Sequence, residues 1–403
     1  MRQPRSLVFM VTSEMTAATF LKGYLASLRA HGFDVTLVAS SEGGLERLAA
    51  AEGVSVEPVP MRREPSPGTD VVSLLRTVRL FRRLRPEIVV TATPKASLLG
   101  MLAAAMTRVP VRVYQVWGLR IETERGLRRL VLEALERLTL RLASHITANS
   151  TSLAAEVRRY ALGRRVDMVG HGSSHGVDLE RFNRSAEMPA LPGGLPEALA
   201  KDRLIVGSVG RVHRDKGILT LLQAMHAVAA ERPATLLVVG PDEDAATEAR
   251  LAEDHGPLRV IRVGAVDDPR PWFLAMDIHV LPTLREGFPN VVLEAAALGV
   301  PTITTDATGA RDSVIDGVTG RIVPAGDPES LAIAIASLAS DPLERERFAI
   351  AGRAHVERHF EQQAVWDAQG SFLEGIRAAT IARPERASRR RDVQPDDTSR
   401  AHR

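Results

Sequence analysis

Short apolar runs recur along the chain, each followed by a longer stretch in which apolar and polar residues alternate at helical spacing. In the first half the runs are SLVFMVT (6–12), DVTLVAS (34–40), VSVEPVP (54–60), EIVVTAT (87–93), VRVYQVW (111–117) and HITANS (145–150). In the second half they are RLIVGSVG (203–210), ATLLVVG (234–240), RVIRVGAV (259–266), DIHVLPT (277–283), PTITTD (301–306) and TGRIVP (319–324). Apolar runs of about four to eight residues with no clear polar face read as strands buried on both sides, as in parallel sheets. The helical stretches between them supply the crossovers that parallel strands require. The alternation breaks at GHGSSHGVDLERFNRSAEMPALPGGLPEAL (170–199), where Gly, Pro and Ser mark a linker. A chain of 403 residues also exceeds what a single core usually organises. The predicted fold class is therefore α/β, with two doubly wound domains of similar size, residues 1–185 and 186–360, facing a cleft. Ligands of such sheets bind beyond the carboxyl ends of the strands, which makes the cleft the expected site. Two helical stretches follow through 344–376. Residues 383–403, dense in Arg, Asp, Pro and Ser without an apolar face, are expected to form a disordered tail.

Composition changes this picture little. Hydrophobic residues make up 45% and charged residues 25%, ordinary values for a globular protein. The absence of cysteine excludes a disulfide framework and any thiolate metal site. The basic start and short apolar run of RSLVFMVT read as a first strand rather than a signal peptide. ASLLGMLAAAM (96–106) falls short of the roughly 20 residues that span a bilayer, and reads as a buried core helix. A cytoplasmic location is expected.

Charge is more informative. Residues 1–190 hold 27 Lys and Arg against 18 Asp and Glu, whereas the remainder holds 25 against 31. A basic half suits nucleic acid, anionic lipid or a phosphorylated substrate. Scarce aromatic residues and the lack of a nucleic-acid motif argue against nucleic acid. The basic clusters fall on LLRTVRLFRRLRP (74–86) and GLRRLVLEALERLTLRLASH (126–145), where Leu and Val alternate with Arg at helical spacing. They read either as solvated helix faces or as a peripheral membrane contact.

Candidate chemistry gathers in the second half. LIVGSVG leads directly into RVHRDKGI (211–218), placing Arg211 at the carboxyl end of a strand and Lys216 beside the next helix. A guanidinium binds phosphate oxygens in pairs and an ammonium acts as a point charge, so the two suit a diphosphate. The alternative is a surface Arg and a helix-face Lys paired with Asp215. Opposite stands REGFPNVVLEAAALGVP (285–301). With Pro289 near the first helical position, the N–H groups of Asn290, Val291 and Val292 lack intrahelical partners and can donate to an anion. Glu286 precedes the turn, and Glu294 lies roughly 6 Å along the helix. Carboxylates accept from hydroxyl pairs, and a sugar nucleotide carries hydroxyls on both sides of its diphosphate. One acid can hold the transferred sugar and the other the ribose; alternatively, they are a turn residue and an exposed helix position. PDED (241–244) superficially resembles an Asp-x-Asp metal pair but reads as a solvated turn.

VGRVHRDKG, PTLREGFPNVVLEAAALGVPTITTDATGARDSVIDGVTGRIV and HGVDLERF resemble the retaining, family-4 glycosyltransferases of the GT-B fold, over about residues 5–378. That fold pairs two Rossmann-like domains, and the resemblance implies a last helix, 361–378, crossing back to the first. It also implies that Arg211 and Lys216 bind the donor diphosphate, Glu286 the donor sugar and Glu294 the ribose. Gly264, Ala265 and Val266 would meet the base through backbone groups, and Gly287, Phe288, Asn290 and Val291 complete the implied donor site. TATPKASLLGMLAAAMTRVPVRVYQVWGLRIETERGLRR (91–129) is similar to transferases that add a sugar, often N-acetylated, to polyprenyl-diphosphate-linked glycans at the inner membrane face. The acceptor-side candidates are Thr93, Lys95, Trp117 and Arg120. Lys95, at a helix start, reads equally as a contact for an acceptor phosphate or as a plain surface lysine.

The implied reaction moves a sugar, an N-acetylhexosamine or relative, from a UDP-sugar to a lipid-linked saccharide in cell-surface polysaccharide synthesis, with retention. Arg211, Lys216 and Glu286 form its expected catalytic set, and the departing diphosphate is met by cations and helix-start N–H groups, so neither a metal nor a cofactor is expected. The implied place is the inner face of the plasma membrane. Two other readings are a GT-B-fold nucleotide-sugar epimerase and a non-catalytic nucleotide-sugar-binding scaffold.

Overall fold

In a computed structural model that describes residues 5–62, 64, 66–191 and 203–391, the chain builds two six-stranded parallel sheets. The first comprises β1 (Arg5–Ser13), β2 (Phe33–Ser40), β3 (Ser55–Pro58), β4 (Ile88–Thr91), β5 (Val111–Val116) and β6 (His145–Ala148), in the order β3-β2-β1-β4-β5-β6. The second comprises β7 (Leu204–Val209), β8 (Ala234–Val239), β9 (Leu258–Gly264), β10 (Ile278–Leu281), β11 (Thr302–Thr305) and β12 (Gly320–Val323), in the order β12-β11-β10-β7-β8-β9. Both sheets therefore share one topology, and each reverses its winding where its first strand lies beside its fourth.

The apolar runs lack a polar face because helices cover both sides. In β1, Leu7, Phe9 and Val11 enter a core with Tyr24 and Leu28, while Val8 and Met10 enter another with Phe81, Leu99 and Leu140. The helices Pro67–Leu84, Pro94–Met106 and Gly126–Leu142 pack side by side over that second core. Pro94–Met106 lies between its neighbours with Ala96, Leu99, Met101 and Ala104 buried. Among the described residues, no helix is long and apolar enough to cross a membrane.

The linker departs from the predicted boundary at 185. Val177 and Phe182 join a core of the second domain with Phe273 and Leu293. The Arg184 guanidinium donates to the carbonyls of Leu298 at 2.6 Å and Gly299 at 3.0 Å. Residues 192–199 of the predicted linker lie outside the described residues.

The terminal helix, Gln362–Arg391, returns to the first domain, where Trp366 and Leu373 pack with Tyr24 and Leu25. His31 Nδ1 lies 3.2 Å from Glu374 Oε1, and Arg377 pairs with Glu87. The helix runs past 378, so residues 383–391 are helical rather than part of a disordered tail. The remainder of that predicted tail, 392–403, lies outside the described residues.

Leu373 has 0% exposure, so Leu373→Ala removes a buried side chain from the first domain while acting through the last helix. The expected loss is about 2–5 kcal/mol, read as a lower urea midpoint. The control Leu343→Ala, 78% exposed, should change stability by no more than about 0.5 kcal/mol.

Candidate active site

Strands β7 and β10 lie side by side at the winding reversal of the second sheet, where loops leaving the carboxyl ends open a crevice. The loop after β7 closes into a short turn, Arg214–Lys216, capped by the His213 side chain. Gly217 follows at φ +67°, and a β-carbon there would lie 1.9 Å from the Pro282 carbonyl oxygen. Only glycine lets the two loops pack this closely. Their approach brings Lys216 Nζ to 2.5 Å from Glu286 Oε1, with both side chains largely shielded.

Lys216 is therefore not the partner of Asp215. The Asp215 carboxylate lies 2.5 Å from His213 Nδ1 and accepts from Arg285 Nη2 at 2.8 Å. Its carbonyl accepts from Leu284 N at 2.9 Å and Thr283 Oγ1 at 3.2 Å. Burial alone raises the Asp215 pKa, but the His213 hydrogen bond and the charges of Arg285 and Lys216 outweigh it and hold the group below its ordinary value. Asp215 thus ties the loop after β7 to the loop after β10.

Arg211 forms an ion pair with Glu243 of the PDED stretch. The two loops are also pinned by Val212 N donating to Pro241 O at 2.8 Å and Glu243 N donating to Val212 O at 3.0 Å. Asp242 pairs with Arg262 at 2.6 Å, and Asp244 accepts from Thr247 Oγ1 at 2.5 Å. The acids of PDED are thus engaged by neighbours rather than simply solvated. Among the described residues, no group of three or more His, Cys, Asp or Glu is arranged to hold a metal ion.

The opposing helix spans Asn290–Ala297, with Pro289 at its cap and no side chain capping it. Val292 N donates to Pro289 O at 3.1 Å, which reduces the three expected helix-start donors to Asn290 and Val291. The Asn290 side chain is occupied in holding the linker: its Nδ2 donates to Gly176 O at 2.9 Å and its Oδ1 accepts from Ser173 Oγ at 2.9 Å. Phe288 is buried with its ring 5.3 Å from that of Phe360, and Val266 and Val291 pack against the same core. Glu294 is partly buried on the helix. Burial pushes its pKa up to about 7, opposed by the charge of Arg181.

The two domains meet at this loop. A β-carbon on Gly287 would lie 2.0 Å from the Trp117 carbonyl oxygen. Arg285 Nε donates to Thr123 Oγ1 at 3.2 Å. Ser152, in the first turn of the helix Thr151–Arg158, donates its backbone N–H to Asp312 at 3.3 Å, and its hydroxyl accepts from Gly309 N at 2.7 Å.

Two family models match the chain: a "Glycosyl transferase 4-like domain" over residues 16–172 and "Glycosyl transferases group 1" over residues 203–341. The capsular polysaccharide biosynthesis glycosyltransferase CapM of Staphylococcus aureus is 35% identical over 372 residues, covering 89% of this chain and 94% of CapM. The chain belongs to the group 1 glycosyltransferases. An Escherichia coli relative, UDP-Gal:alpha-D-GlcNAc-diphosphoundecaprenol alpha-1,3-galactosyltransferase, is 26% identical, covering 77% of this chain and 81% of its own. Among solved structures, Anabaena Alr3699/HepE in complex with UDP and glucose superposes with a TM-score of 0.73 at 20% identity, covering 92% of this chain and 100% of its own. The glycosyltransferase thus has the GT-B fold.

On the first-domain side of the transferase, two of the acceptor-side candidates, Lys95 and Arg120, meet at Glu64, whereas Thr93 and Trp117 have other partners. Thr93 Oγ1 accepts from Thr12 N at 2.9 Å and lies 2.6 Å from Thr12 Oγ1. Lys95 is neither free nor a plain surface lysine: its Nζ donates to Asp70 Oδ1 at 2.7 Å and Glu64 O at 2.5 Å, and its side chain is 11% exposed. Arg120 Nη2 donates to Glu64 Oε1 at 3.4 Å. Trp117 reaches the seam through its carbonyl and packs its ring 5.4 Å from Phe20.

The sequence reading missed the tie made by Ser152 and Asp312, and also Glu122. The latter has a buried Oε2 without a partner, and burial raises its pKa, opposed by Thr308 and the charges of Arg285 and Arg311. Ser150 caps the helix Thr151–Arg158 that carries Ser152, its side chain accepting from Leu153 N.

Because the folded pKa of Glu294 lies near 7 and the reference value is 4.5, the unfolded transferase loses this proton first as pH rises. Stability is therefore lost between these two values. Glu294→Gln removes that loss, so urea denaturation should show the variant gaining on the parent by about 1–3 kcal/mol at pH 8 relative to pH 4.

Proposed function

We propose that this glycosyltransferase moves a sugar from a UDP-sugar onto a polyprenyl-diphosphate-linked saccharide during cell-surface polysaccharide assembly, with retention at the anomeric carbon. The observation that carries the reading is the Lys216–Glu286 pair, set where β7 and β10 part and beside a helix start without a side-chain cap. One ammonium there stands between the acid assigned to the donor sugar and the space assigned to the diphosphate. The names of the relatives support the chemical classes: CapM is a capsular polysaccharide enzyme, the E. coli relative uses UDP-Gal and a diphosphoundecaprenol acceptor, and Alr3699/HepE binds UDP.

In this reading the bond between the anomeric carbon and the diphosphate oxygen breaks as the acceptor hydroxyl oxygen attacks from the same face. The hydroxyl proton passes to the departing diphosphate, so no enzyme nucleophile is assigned. Arg211, Lys216 and the helix-start N–H groups meet the growing negative charge, the arrangement in which fixed donors contribute most. Arg211 must exchange Glu243 for phosphate oxygens, and Lys216 must share its charge between Glu286 and the donor. Glu286 orients the sugar hydroxyls and Glu294, as a carboxylate, accepts from the ribose.

Calorimetric titration with UDP, GDP and ADP is the first test, with Lys216→Ala as the negative. Selective binding of UDP, lost in the variant, supports the donor assignment; binding of none of the three overturns it. In turnover assays with UDP-sugars and lipid-linked acceptors, Lys216→Ala should lower the rate by at least about a hundredfold. Sugar epimerisation without an acceptor would point to the epimerase instead.

A further inference from the structure

Phe20 closes the helix Glu14–Phe20, which leaves the carboxyl end of β1, and it is 36% exposed. Its ring lies 5.4 Å from that of Trp117, tilted by 43°, and 5.6 Å from that of His175, edge to face at 77°. Rings in tilted and edge-to-face contact at such distances hold one another in place. Ser174 Oγ lies 2.9 Å from His175 Nδ1 and orients the imidazole.

Both ring neighbours of Phe20 are anchored on the loop that carries Glu286. Trp117 meets that loop through its carbonyl, against which Gly287 packs without room for a β-carbon. His175 lies between Ser173, whose Oγ donates to Asn290 Oδ1, and Gly176, whose carbonyl accepts from Asn290 Nδ2, each at 2.9 Å. The Phe20 ring is thus bracketed by residues tied to positions 287 and 290, beside the start of the helix Asn290–Ala297, which no side chain caps. A partly exposed aromatic ring in a polar cleft is best covered by a ligand that has an apolar face of its own. A sugar ring meets this requirement: axial C–H bonds line its two faces, whereas equatorial hydroxyls point around its rim and stay free for hydrogen bonds.

We propose that Phe20, buttressed by Trp117 and His175, is the floor of an acceptor subsite on which the terminal sugar ring of the acceptor lies by its C–H face. The inference rests on the same-face transfer proposed above. Attack from the side of the leaving group requires the acceptor hydroxyl to reach the anomeric carbon beside the departing diphosphate. The diphosphate is assigned to the helix start next to Phe20, and Glu286 is assigned to the donor sugar, which leaves this ring of the first domain to the acceptor. The donor sugar is the competing occupant, and it would make Phe20 a determinant of donor affinity instead.

The test is equilibrium binding of two detergent-dispersed probes to the full chain loaded with UDP, read by tryptophan fluorescence. One probe is GlcNAc-diphosphoundecaprenol, the acceptor in the name of the E. coli relative; the other is undecaprenyl diphosphate, which lacks the sugar. Phe20→Ala should weaken the sugar-bearing probe at least about tenfold and the sugarless one by less than about twofold. Phe20→Tyr should retain the affinity, whereas Phe20→Leu, apolar but without a ring face, should not; a role in packing alone would be met by leucine. The tyrosine and leucine pair decides the matter even where alanine unfolds the chain. Equal weakening of both probes, full affinity with leucine, or a parent that does not prefer the sugar-bearing probe overturns the proposal. So does a variant that loses affinity for a UDP-sugar while keeping that for the probe, which assigns Phe20 to the donor. Titration with UDP alone keeps the two readings apart: a parent that does not bind UDP removes the donor reading, whereas intact UDP binding beside unchanged probe affinity removes only this subsite.

Discussion

At Gly287 the second domain comes so close to the Trp117 carbonyl that a β-carbon would lie 2.0 Å from it, and Glu286 is the preceding residue. Backbone packed on backbone cannot yield as a side chain can, so this contact fixes where Glu286 stands relative to the first domain. The ties around it act at the same seam: Arg285 to Thr123, Asp312 to the first turn of the helix Thr151–Arg158, and Asn290 to the linker. A second close approach, Gly217 against Pro282, sets Lys216 on Glu286. Gly309 adds a third, its β-carbon position 2.4 Å from the Glu286 carbonyl oxygen.

The cations of the cleft stand in prepared pairs. A shielded charge left without a partner is costly, and Lys216 rests on Glu286 as Arg211 rests on Glu243. Asp215 differs: bonded to His213 and Arg285 and held below the ordinary carboxylate range, it stays ionised as a brace between loops. Glu294 lies at the other extreme, with a proton that burial holds to near neutrality. Burial and neighbours thus push Asp215 and Glu294 in opposite directions.

The first domain divides its duties between its faces. One side of its sheet accepts the terminal helix through Trp366 and Leu373, binding the two ends of the chain into one core. The other side carries three packed helices whose central member is buried and whose outer members expose leucine, valine and arginine. Gly126–Leu142 departs from the ordinary rule for a surface helix: Leu140 enters the core with Leu132 and Leu142 packed against it, yet Leu127, Leu130 and Val131 are exposed while Glu133 is shielded.

Much of this was legible in the chain. The twelve apolar runs gave the strands, because a strand covered on both faces has no polar side to interrupt it. The residue types of the loops after β7 and β10 were legible too, since strand ends in such sheets are where cations and acids can gather. What each of those residues touches was decided by the tertiary fold. Lys216 chose Glu286, 70 residues away, over its sequence neighbour Asp215; Asn290 turned to the linker; Lys95 was drawn into an ion pair with Asp70. The Ser152–Asp312 tie joins positions 160 residues apart and has no local pattern to announce it. Periodicity is a property of neighbours along the chain, whereas pairing depends on distance in space, so the sequence by itself determined the elements and only the tertiary structure decided their partners.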